Sequence, residues 1–197
     1  MATTVGKRRK TLARPSQLQR GFSLLEVVIS MAILTIGLVS LAGVFGLAMA
    51  STQESQEDMI AKQMANEVVE SIVTARNTAQ LSWDSIQNTS DGGIFLNGFQ
   101  RAYMPADDGI LGTADDVTGA QYVTITEPGP DGIYGTSDDI SLPLSNYRRQ
   151  IQIQPVTDAN GNVVPSLRAI NVTIQYNTPR TRVPKTYSLS SFISQFR

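Results

Sequence analysis

The sequence predicts an α+β protein, with a long amino-terminal helix packed on an antiparallel sheet of three to four strands. Three observations predict it. Val27 to Gln53 is a run of 27 residues without a charge. Ile60, Met64, Val68 and Ile72 then recur every four residues, flanked by Ala65, Val69 and Val73, which is one apolar face at helical period. Far along the chain the pattern changes to strict alternation over Tyr147–Val156 and Leu167–Tyr176, the period of half-buried strands.

The charge-free run is read as a membrane span. Val27–Ala50 alone is about 36 Å long as a helix, enough to cross a hydrocarbon core of ~30 Å. Residues 1–21 hold six basic residues and no acidic one. The positive-inside rule keeps such a leader cytoplasmic and places the remainder on the far side. A secretory signal peptide has the opposite order, with a short apolar core ahead of its cleavage site. Gly37, Gly43 and Gly46 each cost roughly 1 kcal/mol in a helix interior, but in a membrane they permit close helix packing.

Glu26 stands alone at the head of this run. An ionised carboxylate in hydrocarbon costs at least ~2.5–3.5 kcal/mol, so a counter-charge is required.

The amphipathic segment carries Glu54, Glu57, Asp58, Lys62, Glu67 and Glu70 away from its apolar face and is expected to end near Ala75, which makes the whole helix roughly 80 Å long. Residues 77–105 lack periodicity. Asn88–Gly93 reads as a turn, and Trp83, the single tryptophan, is expected to anchor this loop. In the first strand Tyr147, Arg149, Ile151 and Ile153 share one face, and Arg148, Gln150, Gln152 and Gln154 share the other. Asp158–Asn162 is a hairpin turn. In the second strand Ile170, Val172, Ile174 and Tyr176 share a face. Thr186–Phe196 is the third strand, and Gln121–Glu127 is the candidate for a fourth.

Composition excludes much chemistry. The 197 residues include no histidine and no cysteine. Imidazole bases, thiol nucleophiles, cysteine zinc sites and disulfides are therefore impossible, and no Ser-His-Asp triad can form. A catalytic role is not expected.

An internal repeat stands out. Asp108-Gly109-Ile110-Leu111-Gly112-Thr113-Ala114-Asp115-Asp116-Val117 recurs as Asp131-Gly132-Ile133-Tyr134-Gly135-Thr136-Ser137-Asp138-Asp139-Ile140, with seven of ten positions identical. Hard cations take six to eight oxygens. Asp107, Asp108, Asp115, Asp116, Asp131, Asp138 and Asp139 are accordingly candidate calcium ligands. The string resembles calcium loops of bacterial surface proteins, although its spacing is not that of an EF-hand. The competing reading is a pair of polar turns.

The segment Arg20-Gly21-Phe22-Ser23-Leu24-Leu25-Glu26 resembles the prepilin motif of the type IV pilin superfamily. That motif has a basic leader ending in Gly, then Phe, and Glu at the fifth mature position. The resemblance implies cleavage between Gly21 and Phe22 by a prepilin peptidase, which also methylates the new amino group of Phe22. It implies that Glu26 meets the amino terminus of an adjacent subunit during assembly. The expected organisation is a removed leader over 1–21, a transmembrane and assembly helix over 22–53, an amphipathic helix over 54–76, and a β head over 77–197. Loops 107–117 and 131–140 belong to that head.

The function so implied is a pilin-like structural subunit of a type IV pilus, closer to minor than to major pilins. The alternative is a minor pseudopilin of a type II secretion system. Partners would be the peptidase, other pilin or pseudopilin subunits, the inner-membrane assembly platform and the membrane itself. The protein would wait as a single-pass bacterial inner-membrane protein with a periplasmic head, then join a pilus or pseudopilus. A lesser alternative is an adhesive or DNA-binding tip pilin. Arg148, Arg149, Arg180, Arg182 and Lys185 could contact phosphates. The chain after the leader is acidic, however, so a solvated strand face is favoured and nucleic acid is not expected as a partner.

Overall fold

The computed structural model describes residues 21–118, 120–178 and 183–196. Helix α1 covers Leu24–Asn77. The chain divides into two compact units between Met49 and Ala50.

In the first unit every described side chain is exposed. This part of α1 is long and apolar enough to cross a membrane, and none of its most apolar stretch is buried within the chain. Two of its hydroxyls bond back into the helix. Thr35 Oγ1 donates to Met31 O at 2.7 Å and Ser40 Oγ to Ile36 O at 2.8 Å. Such back-bonding suits a medium that offers no water. A Cβ placed on Gly37, Gly43 or Gly46 would meet nothing within 4 Å. The space those glycines leave is therefore open in the single chain.

In the second unit α1 buries Ala61, Met64, Ala65, Val68, Ile72 and Ala75, with Ile60, Val69 and Val73 at the margin. The stripe falls where the four-residue period puts it. It packs on the inner face of a four-stranded antiparallel sheet of order β1-β4-β5-β6. The strands are β1 (Gln100–Arg101), β4 (Tyr147–Thr157), β5 (Val163–Tyr176) and β6 (Lys185–Ser194). Strands β2 (Thr124–Glu127) and β3 (Ile140–Pro143) form a separate two-stranded sheet. The expected α+β class therefore holds, with a helix on a sheet that reaches four strands. The Gln121–Glu127 segment is a strand but joins β3, and the fourth place in the main sheet goes to the two-residue β1.

Within β4 burial alternates as the sequence suggests: Tyr147, Arg149, Ile151 and Ile153 are buried. The β4–β5 register slips between Pro155 and Val156. Pro155 turns its nitrogen away from β5, to the side where Ile151 O and Ile153 N–H meet Asn88, so its missing N–H is no loss to the β4–β5 ladder. The turn beyond is held by Asp158, whose Oδ1 accepts the N–H of Asn160 at 2.9 Å and of Asn162 at 2.8 Å. Gly161 there has φ +84°.

Past the short β1, a side chain takes over the β4 edge. Asn88 is buried, its Nδ2 donates to Ile151 O at 2.8 Å and its Oδ1 accepts Ile153 N–H at 2.7 Å. One amide supplies the donor and acceptor that a neighbouring strand would have offered. Trp83 anchors the 77–105 loop as expected. Its indole N–H donates to Pro165 O at 3.1 Å, and the Arg168 guanidinium lies 4.3 Å from its ring centroid. Arg168 also donates to the carbonyls of Trp83 and Ile86, which ties the loop to β5.

Candidate functional site

The first candidate is the amino-terminal motif. Gly21, Phe22 and Ser23 are non-helical, and α1 begins at Leu24. The peptide bond between Gly21 and Phe22 thus lies ahead of the helix. Phe22 is exposed. Glu26 occupies the first helical turn, where the positive end of the helix dipole favours a carboxylate. Among the described residues no cation pairs with it. The leader residues Met1 to Arg20 lie outside the described residues.

The second candidate is the repeat. Both copies close by the same hydrogen bonds. Asp108 Oδ1 accepts Ile110 N–H at 2.9 Å, and Asp131 Oδ1 accepts Ile133 N–H at 2.8 Å. Asp116 Oδ2 accepts Gly112 N–H at 2.6 Å, and Asp139 Oδ2 accepts Gly135 N–H at 2.7 Å. The hydroxyls of Thr113 and Thr136 donate to Asp115 Oδ1 and Asp138 Oδ1 respectively. Gly112 and Gly135 have φ of +94° and +86°, a region open to glycine and strained for other residues. The Asp and Gly positions therefore have a full account in turn chemistry.

The surroundings of the copies differ. In the first, short helix α2 (Ala114–Thr118) follows the turn, and Ile110, Leu111, Gly112, Thr113 and Asp116 are all buried. Asp116 also accepts Ala106 N–H at 3.0 Å and lies 3.7 Å from Arg149 Nη2. Both side chains of that pair are almost wholly buried. Burial pushes the Asp116 carboxyl above its usual range, against the Gly112 and Ala106 N–H groups and the Arg149 charge that pull it down. Burial likewise depresses Arg149, with Asp116 opposing. The pair is the kind that is costly to bury and costlier to break. In the second copy every residue is exposed except Thr136 and Asp139, which are half-buried. The Thr136 hydroxyl holds Asp138 below the usual carboxylate range.

Asp107, Asp115 and Asp116 line a hollow of about 370 Å³. Yet among the described residues no three carboxylates gather closely enough to hold one metal ion. Both oxygens of Asp116 are already engaged by backbone N–H groups, so the residues do not fit a calcium cage as they stand.

Among the described residues, the basic set does not form a patch. Arg149 is buried rather than exposed, Lys185 pairs with Glu54 and lies 3.7 Å from Asp58, and only Arg148 is free on the surface. Arg180 and Arg182 lie outside the described residues. The alternation in β4 had already put Arg149 on the inner face; its charge was the misleading signal. The role of Asn88 left no signal beyond its place in a turn.

Residues 17–42 match the family model of the prokaryotic N-terminal methylation motif. The chain carries a prepilin-type amino terminus, and that motif supports the type IV pilin superfamily without separating minor pilin from pseudopilin. Processing by prepilin peptidase and assembly with other pilin subunits follow from it, and the apolar α1 is consistent with membrane anchoring. The motif points to a structural subunit. No curated protein and no solved structure matches the chain.

Proposed function

We propose that the chain is a minor pilin-like subunit of a type IV pilus. The prepilin is held by α1 as a single-pass inner-membrane protein, its leader cytoplasmic and its head periplasmic. Cleavage between Gly21 and Phe22 frees an amino group, which is methylated. The assembly platform then draws the helix into a filament, where Glu26 pairs with the amino terminus of a neighbouring subunit. The observation that carries this reading is Glu26 itself, a carboxylate in the first turn of an apolar helix with no cation among the described residues of its own chain. A charge so placed is stabilised by a partner that only processing and assembly provide.

The mass of the intact membrane form tests the processing. It should lack Met1–Gly21 and carry one methyl on Phe22; an uncleaved amino terminus, in cells that process their other pilins, would overturn the reading. Glu26→Gln should leave that mass shift intact and abolish incorporation into filaments. A minor pseudopilin has the same anchor and cleavage. Loss of protein export without loss of surface filaments, on deleting the chain, would favour the secretion machine.

A further inference from the structure

The two repeat copies share one turn over their first six residues but sit in two environments, and the buried copy displays what the exposed one lacks. Ile110 and Leu111 are 3% and 5% exposed and belong to the same buried cluster as Ile72, Phe95 and Ile151. Their counterparts Ile133 and Tyr134 are 60% and 68% exposed. Asp116 meets the guanidinium of Arg149, whereas Asp139 has no cation partner among the described residues. The exposed copy is carried between β2 and β3, and Ile140 and Leu142 of β3 are also exposed. Gly129 fixes the base of this arm: a Cβ there would strike the backbone and carboxylate of Asp138.

From this we infer that residues 131–140 are a docking knob for another protein. Ile133 and Tyr134 enter an apolar socket on that protein, and an arginine or lysine at the socket floor meets Asp139. The buried copy sets the chemistry of the socket: aliphatic and aromatic walls with one desolvated cation. Two exposed apolar side chains on a hydrogen-bonded turn, beside a carboxylate with no cation partner among the described residues, are the composition of an interface anchor. The occupant is not a second copy of this chain, because the chain's own seat of that kind is filled by residues 108–117. It is not an anionic membrane surface, because Asp131, Asp138 and Asp139 surround the apolar pair.

The test uses the full-length chain in the cells that produce it, with the photo-crosslinking residue p-benzoylphenylalanine in place of Tyr134. Irradiation should join it to a single other protein, at an apolar site that carries an arginine or lysine. Ile133→Ser or Asp139→Asn in the same chain should lower the yield at least about tenfold, the loss expected when one anchor contact is removed. Ile133→Ser should leave the melting temperature unchanged, which separates docking from folding. The inference is overturned by crosslinks to another copy of this chain or to lipid alone. It is equally overturned by a yield no greater than from the same residue at Val163, an exposed position on a different hairpin, or by a yield that Ile133→Ser does not alter.

Discussion

The loop at 108–117 and the loop at 131–140 share seven of ten residues, matching backbone φ at their glycines and the same Asp-to-amide closures. One is part of the core and the other stands in solvent. The conformation of such a loop is therefore written locally, in its Asp and Gly positions. Its burial is written elsewhere, by which residues the sheet turns toward it. Arg149 and Ile151 face the first copy from β4, and no described cation faces the second.

Breaking the charge pair should divide the copies most. Asp116→Ala leaves Arg149 buried without its counter-charge and frees two amide hydrogens, a loss of about 3–5 kcal/mol. Asp139→Ala frees one amide near water and should cost no more than about 1 kcal/mol. Denaturant unfolding of the detergent-solubilised chain measures both, and equal losses would mean that the copies share one environment.

The glycines give the next contrast. An alanine at Gly112 is strained by φ +94° and also drives its Cβ into Ile151 Cδ1, with Phe95 beside it. Strain of ~1–2 kcal/mol and overpacking of ~1–3 kcal/mol add there. At Gly135 a Cβ meets nothing within 4 Å, so only the strain remains. Gly112→Ala should lower the midpoint clearly more than Gly135→Ala.

Calcium gives the smallest contrast. Copy one has its own cation in Arg149, so a chelator should not shift the chain's melting through residues 108–117. A shift on chelation that disappears in Asp138→Ala/Asp139→Ala would place a cation at the exposed copy and revise the fit described above.

Much of this architecture is legible in the sequence, because periodicity depends on a single element at a time. The stripe on α1, the alternation in β4 and β5 and the Asp158 turn each follow from neighbours in the chain. What escapes is set by distant partners. The pairing of β2 with β3 depends on two short strands whose own patterns are weak. Strand β1 has only two residues, too few to show any period. Asn88 reads as a turn residue, and its amide acquires a second task only when β4 arrives beside it. Arg149 shows the conflict most plainly: its place in the alternation pointed inward and its charge pointed outward. The counter-charge that settled the matter, Asp116, lies 33 positions away. The amino-terminal motif is the opposite case: its residues are contiguous, and the family-model match over 17–42 covers them all.

The Asn88 amide has one more consequence. A sheet grows when an incoming strand finds free backbone groups along an edge. On the β4 side two residues of β1, one side chain and Pro155 occupy that edge between them, so little remains for a stranger to read. The opposite margin, β6, is a ten-residue strand in unbroken register with β5. A head with one closed margin and one open one can add a single strand or pair once with its like, but it cannot propagate. Among the described residues, strand addition to this sheet is therefore confined to β6, and the β4 margin is sealed against it.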